Sequence, residues 1–591
     1  MKRFAAASLG LLGVVLLLGA APSCSSNDAA PKACVPGRTV KCTCVGGGQG
    51  LQTCMPDGSG YEACGFCKDK VEPGVEAGFA DITGAMNLMD GAGPCLGFDD
   101  FDGDGDPDII LSRANSTQSQ QSLAPSRVVI HANLGDGKFS AEPLAVLGQG
   151  FATLCTSADL DRDGLPEAII EIDQADKPGT MYYFRNKGKF VFELDPLGFD
   201  FAPIDDSLLL ALGTFDANND GWLDIVLGRS HGGGPASGEA CVMKENDFVC
   251  ESTPFPGSSG PLLWLNDGTG RMKLNTSALK GPFPGTTNAL AFADLDGNGL
   301  TDMFMANDWY SNHLHLQKSP GSFQRAETLL GLNLFNHGMG IGINDFDVDG
   351  NPDIYVADLG PNSLFFGKAD GTFENLNAET GISAVTRYHS NWATIAEDFN
   401  LNGLADLFVA SSGLVTNEED MVKMAIVSQS PIKELVPQFD LLFWNRGDRQ
   451  FAPVTLAHRG KQKPTVVLGS SATADYDGDG DLDIMVMSGD GMQFRFLQNQ
   501  QPPGNYLVLD LIGTKSNPHG IGAIVDLLKG GQLVQRRYAG TGGSLGISWK
   551  SVHFGLGSAT SVESLRIRWP SGTEQTLSNV EGNQTLRVTE P

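Results

Sequence analysis

Apolar residues along this chain come in short bursts, not in helical stripes. Ile109-Ile110-Leu111, Ile225-Val226-Leu227 and Ile484-Met485-Val486 are examples, and each follows a loop dense in aspartate and glycine. Runs this short, bounded by turn residues, read as buried strands. Further along most units stands a second apolar strand that ends in an Asn/Gly-rich turn and often a phenylalanine. Examples are HANLGDGKF (131–139), YFRNKGKF (183–190), WLNDGTG (264–270), FFGKADGTF (365–373) and FWNRGDRQF (443–451). The acidic loop recurs seven times: DFDGDGDPD from Asp100, DLDRDGLPE from Asp159, DANNDGWLD from Asp216, DLDGNGLTD from Asp294, DFDVDGNPD from Asp345, DFNLNGLAD from Asp398 and DYDGDGDLD from Asp475. Its starts lie 51 to 78 residues apart, room for four short antiparallel strands. Repeats of strand and turn at that period predict an all-β chain built on a seven-bladed β-propeller.

The seventh unit is incomplete. It runs through FRFLQN (494–499) to Pro502-Pro503 without a closing strand, whereas GFADITGAMNL (78–88), ahead of the first motif, is similar to GTFENLNAETGI (371–382). Residues 78–84 are expected to supply the outer strand of the last blade, which closes the ring and removes its edges. The propeller is thus assigned to residues 76–503. From about Asn505 the strands YLVLDLIG, AIVDLL, QLVQRRY and SLRIRW, with a two-residue hairpin turn at Lys529-Gly530-Gly531-Gln532, predict a small β domain over 504–589.

The N-terminus reads differently. Lys2 and Arg3 precede an apolar run from Phe4 to Ala21, too short for a spanning helix and suited to an export signal over residues 1–24. Its end, Ala21-Pro22-Ser23-Cys24, looks like a bacterial lipobox whose Cys24 is acylated, although the usual leucine is missing; ordinary cleavage and secretion is the alternative. Residues 25–75 hold a tether and six cysteines, Cys34, Cys42, Cys44, Cys54, Cys64 and Cys67. With few apolar residues to form a core, three disulfides are expected there. A zinc knuckle is the rival, disfavoured because the segment has no histidine and the chain reads as exported. Cys241 is paired by position with Cys250, and Cys95 with Cys155 across two neighbouring repeats.

Composition sharpens this picture. The 591 residues include 75 glycines, which argues for many tight turns, and the formal charge is −30 with a pI near 4.5. Such a field opposes nucleic acid and anionic lipid. Membrane contact is therefore expected only through a lipid anchor, at the outer membrane or cell surface, and a monomer is expected.

The loop chemistry suits calcium, a hard cation that takes six to eight oxygens. Side chains at positions 1, 3, 5 and 9 and a carbonyl at 7 can wrap one ion, with glycine at 6 for the turn. The sets are Asp100, Asp102, Asp104 and Asp108; Asp159, Asp161, Asp163 and Glu167; Asp216, Asn218, Asp220 and Asp224; and Asp294, Asp296, Asn298 and Asp302. The others are Asp345, Asp347, Asp349 and Asp353; Asp398, Asn400, Asn402 and Asp406; and Asp475, Asp477, Asp479 and Asp483. With two carboxylates, the Asp398 loop is expected to bind weakest or stay empty. An EF-hand fails for want of a glutamate at position 12 and of flanking helices.

Loop and strand together resemble the FG-GAP/VCBS repeat, the blade unit of integrin α-subunit propellers, and residues 337–373 are similar to repeats of the cartilage acidic protein family. GIGA (520–523), HFGLG (553–557) and WPSG (569–572) look like the ASPIC/UnbV domain that follows such propellers, although Ser516-Asn517-Pro518-His519 departs from its usual Arg-rich lead-in. The resemblance implies a secreted or surface protein with calcium-stabilised blades. Two functions follow as expectations. The first is a surface binding or adhesion module for a protein or glycan ligand, its loops forming the contact face. The second is an extracellular hydrolase or polysaccharide-acting enzyme using the channel, toward which His337 and His389 could point. No nucleophile elbow, zinc-protease helix or phosphate loop is present, and no catalytic residue is assigned.

Overall fold

A computed structural model describes the backbone of residues 39–43 and 49–53 and then residues 78–591 with interruptions, the longest at 114–126, 231–241, 250–259, 412–438 and 457–468. Cys24, the side chains of the Cys34–Cys67 segment, and Cys241 and Cys250 lie outside the described residues.

Seven four-stranded antiparallel sheets follow one another, each with its strands side by side in chain order save the seventh. Blade 1 comprises Gly91–Asp99, Asp108–Arg113, Arg127–His131 and Ala145–Gln149. In every blade the acidic loop joins the first strand to the second. The first strands of successive blades touch in an unbroken cycle and so line the axis. The seventh sheet takes its outer strand from Phe79–Asp81, which pairs with Phe494–Asn499 in the register Phe79↔Asn499 to Asp81↔Leu497. The closure expected from the sequence is therefore present, and Arg495 Nε to Asp81 Oδ2 (3.0 Å) fastens it.

Between blades the apolar bursts interleave. Phe215 and Phe292 stack at 4.4 Å across the blade 3–4 seam, both almost fully buried. Burying a phenylalanine contributes about 1.5–3 kcal/mol. The disulfide expected between Cys95 and Cys155 joins the first strands of blades 1 and 2 (Cα–Cα 5.2 Å).

A second seam device is polar. Asn186, at the end of the third strand of blade 2, donates from Nδ2 to Pro166 O of its own loop (3.2 Å) and to Phe101 O of the preceding blade's loop (2.8 Å). Asn266, Asn445 and Asn499 repeat this double bond, and Asn133 of blade 1 reaches back to Tyr476 O of blade 7. Five of the seven seams are clasped in this way. Blade 4 has Gln317, whose side chain donates from Nε2 to Thr301 O of its own blade (3.1 Å) and not to the preceding loop. Blade 5 has Gly367, where a Cβ would lie 2.3 Å from Pro352 O.

The C-terminal part forms a three-stranded sheet (Val552–Gly557, Asn505–Ile512, Thr585–Thr589) and a four-stranded one (Gln532–Tyr538, Ile524–Lys529, Ser561–Arg568, Glu574–Glu581) around a common apolar core. Gly530 and Gly531, both at positive φ (58° and 76°), make the predicted hairpin turn. Asp526, fully buried, is held by Arg536, Arg566 and Arg568, which keep its carboxyl below its ordinary range although burial alone would raise it.

Asn186→Ala leaves two buried carbonyls without donors, so it is expected to lower stability by about 2–4 kcal/mol in urea unfolding. Gln317→Ala, which lies at an unclasped seam, should cost less; equal losses would show that the bond across the seam carries nothing.

Candidate metal centres

All seven loops fold alike. The first carboxylate accepts the amide of the position 6 glycine at 2.7–3.1 Å. The position 5 side chain accepts the amide of position 7 at 2.8–3.1 Å. The position 6 glycines lie at φ 85–98°, as the motif requires. Position 4 is also left-handed, even where it is Arg162, Asn219, Val348 or Leu401 (φ 56–60°). Such a conformation is costly for a β-branched residue like Val348 and had no signal in the motif.

The ninth residue closes each loop. Asp108, Glu167, Asp224, Asp302, Asp353, Asp406 and Asp483 are all 0 % exposed. In six blades one oxygen accepts an amide from the end of the third strand at 2.7–2.8 Å. The other usually accepts the position 2 amide, as in Phe101 N to Asp108 Oδ2 (2.9 Å).

In five loops, oxygens from positions 1, 3 and 9 lie within 4.8 Å of one another: Asp100/Asp102/Asp108, Asp159/Asp161/Glu167, Asp294/Asp296/Asp302, Asp345/Asp347/Asp353 and Asp475/Asp477/Asp483. The Asp216 and Asp398 loops carry asparagine at position 3, Asn218 and Asn400, and form no such triad of carboxylates. Position 5, with Asp104, Asp163, Asp220, Asn298, Asp349, Asn402 and Asp479, stands outside the triads in its turn bond. Loops 1 and 7 carry a fifth aspartate at position 7, Asp106 and Asp481, absent from the expected sets. Burial first, then like-charge crowding, raises these carboxyls: Asp100, Asp159 and Asp216 to about 6, Asp345 and Asp475 to about 7, Asp108 and Glu167 to about 8. Asp161 Oδ1, Glu167 Oε1, Asp475 Oδ1, Asp477 Oδ1 and Asp483 Oδ2 are buried with no hydrogen-bond donor. Orphaned acceptors converging on one point are the environment a hard divalent cation satisfies.

The loop face is not open, contrary to the expectation that it forms a free contact face. The C-terminal sheets sit on it and grip the glycine carbonyls of the loops. His553 Nε2 donates to Gly480 O (2.9 Å), Arg537 Nη2 reaches Gly403 O (3.5 Å), and Arg536 Nη1 bonds Gly350 O. In return Arg162 of the blade 2 loop donates to Gly513, Thr514 and Ser516 carbonyls at 3.0–3.3 Å. The Asp398 loop is the most covered. Arg537 Nη2 stands 3.9 Å from Asp398 Oδ2, and a Cβ on Gly555 would lie 2.2 Å from the same oxygen. This loop, expected to be weakest for calcium, is instead seated against a guanidinium.

The channel is filled as well. Residues Gly540–Gly543 and Gly546–Lys550 enter it from the C-terminal sheets and bond to its wall. Phe292 N donates to Thr541 O, Ile341 N to Gly543 O and Phe98 N to Ile547 O, each at 2.8 Å, while Trp549 N donates to Thr473 O (2.9 Å). A cavity of about 150 Å³ remains. His337 and His389 lie at the far ends of their strands from the acidic loops. His337 Nδ1 pairs with Asp308 Oδ1 (2.6 Å), and His389 packs edge-on against Phe439 at 4.8 Å, its pKa pushed down to about 4 by burial.

Because the folded pKa values of these acids are raised, the cation-free fold binds more protons than the unfolded chain, so its stability falls as pH rises from about 4 to about 8. Melting in chelator is expected to drop across that window, and calcium should protect most at its upper end. A chelated protein that melts higher at pH 8 than at pH 6 would contradict the crowding of these carboxylates.

Family models match at both ends of this architecture. An FG-GAP-like repeat model matches residues 100–170, 294–356 and 345–409, and the ASPIC and UnbV model matches residues 513–591. No curated protein matches the chain. Among solved structures, an Agrocybe aegerita lectin that recognises non-reducing terminal N-acetylglucosamine is 16% identical, with 65% of this chain and 92% of that one covered at a TM-score of 0.38. The BP39L lectin of Burkholderia pseudomallei is 11% identical, covering 70% and 99% at 0.41. A chain of the COPII outer coat is 9% identical, covering 83% and 99% at 0.41. The chain is thus a protein of FG-GAP-like repeats that carries an ASPIC and UnbV domain at its C-terminus.

Proposed function

We propose that this is an exported, calcium-binding propeller that acts as a binding module at the cell surface, anchored through Cys24 or secreted. The observation that carries the reading is the convergence of carboxylate oxygens from positions 1, 3 and 9 at one point in five of the seven loops, several of them buried without a donor in the blade 2 and blade 7 loops. Calcium there would neutralise the crowded carboxylates and brace the first two strands of a blade. Position 9 would hold the ion and, through its strand amide, the third strand. The role is structural: the ligand positions lie between strands of one blade, not around a substrate.

The enzyme reading has less support: Gly540–Gly543 and Gly546–Lys550 bond to the channel wall, His337 is paired with Asp308, and His389 packs on Phe439. Binding is assigned to the surfaces that the ASPIC and UnbV domain leaves open, with a protein or glycan as partner.

Calcium is expected to raise the melting temperature and chelator to lower it, each site held at a hundredfold excess over its Kd adding about 2.7 kcal/mol. Asp347→Asn should weaken this response more than Asn400→Ala does. Surface binding of protein or glycan probes should require calcium and proceed without turnover. A melting temperature indifferent to chelator would end the structural-calcium reading, and turnover lost in His389→Ala would restore the enzyme.

A further inference from the structure

A cleft lies between blades 1 and 7 and the ASPIC and UnbV domain. It has a volume of about 610 Å³, within the range of ligand pockets. One wall is the acidic loops of blades 1 and 7, with Asn133 beside them. The other is Val508, Asp510, Thr585 and Arg587 of the C-terminal sheet, with Trp549, Lys550 and His553 at the inner end.

Its charge is lopsided. Seven carboxylates line it against two cations. Both cations are already paired within the protein: Lys550 with Asp99, and Arg587 Nε with Asp510 Oδ2 at 2.7 Å. The loops of blades 1 and 7 are also the two with five aspartates each. One calcium in each would leave those loops six negative charges in excess.

A second observation points inward. His553 is 4 % exposed, and its Nε2 donates to Gly480 O, so Nδ1 presents a lone pair; that atom is buried and has no hydrogen-bond partner. Glu397 Oε2, also on the cleft wall, is buried and unpartnered. Acceptors without donors, in a negative field, call for a ligand that brings both N–H groups and positive charge.

We propose that this cleft binds an organic cation, an ammonium or guanidinium group that enters between the blade 1 and blade 7 loops and donates to Glu397 and His553. The proposal rests on the binding-module reading and gives it a site and a ligand class. Two sources share this chemistry, a basic side chain of a peptide and a free polyamine.

The test is calorimetric titration of the calcium-loaded full chain with an arginine- and lysine-containing tripeptide, with spermidine, and with the same tripeptide after its lysine is acetylated and its arginine replaced by citrulline. The cationic probes are expected to bind and the neutral one to fail; tighter binding of the tripeptide identifies a peptide source, and tighter binding of spermidine a polyamine. The double variant Asp106→Asn/Glu397→Gln, which spares the side-chain calcium ligands, should weaken binding about tenfold or more while the calcium-induced rise in melting temperature persists. Equal affinity in the variant, or binding of the neutral probe, overturns the cleft assignment. Excess calcium that displaces the probes, with one calcium fewer bound by the variant, would make the ligand a further metal ion and overturns it too. If no cation binds but calcium still raises stability, the cleft assignment fails and the calcium reading stands; if calcium has no effect, that reading fails by itself.

Discussion

A carboxylate at zero exposure is the constraint around which each blade is built. Removed from water, such a group must be hydrogen-bonded, protonated or matched by a cation. The ninth loop residue meets the first condition in part, through the position 2 amide and the third-strand amide. These bonds fix the turn, the hairpin and the strand beyond it in one step. The oxygens left over at positions 1 and 3 converge on the same point, so one cation would complete what the backbone leaves unsatisfied. Blade geometry and cation chemistry are therefore the same problem.

Much of this could be read from the sequence because it is local. The seven loops, their ligand order, the glycine at position 6, the hairpin at Gly530-Gly531 and the partner strand at Phe79 all rest on residues near in sequence or on a visible repeat. The Cys95–Cys155 pair followed from equivalent positions in neighbouring repeats. What could not be read depends on distant contacts. Asn133, Asn186, Asn266, Asn445 and Asn499 looked like turn residues, and only the ring shows them reaching into the loop of the blade before. Positive φ at Val348 and Leu401 had no glycine to announce it. The cover over the loops and the filling of the channel come from Arg536, Arg537, His553 and a glycine-rich segment, none of which carries a motif for docking.

The two unclasped seams give the C-terminal domain a further role. Blades 4 and 5, with Gln317 and Gly367 in place of the asparagine, are the blades whose first strands receive Thr541 O and Gly543 O. The inserted segment ties the first strands of blades 4 and 5, whose shared seam lacks the latch, to a common partner, and it does the same for blades 7 and 1, whose seam Asn133 already clasps. The domain is thus an internal brace, and the small residues at 540, 542, 543 and 546 allow that close approach; at Gly546 a Cβ would lie 2.1 Å from Ser471 O.

The closing strand carries a consequence for how the chain is made. Phe79–Asp81 finds its partner at Phe494–Asn499, more than four hundred residues later, and the segment that fills the axis is later still. Until both have emerged, the first and seventh blades keep open edges and the axis is unfilled. Pairings so distant are slow to form and leave partly built forms open to misassembly. Export as an unfolded thread, followed by folding of the whole ring on the far side, would spare the chain that half-built stage.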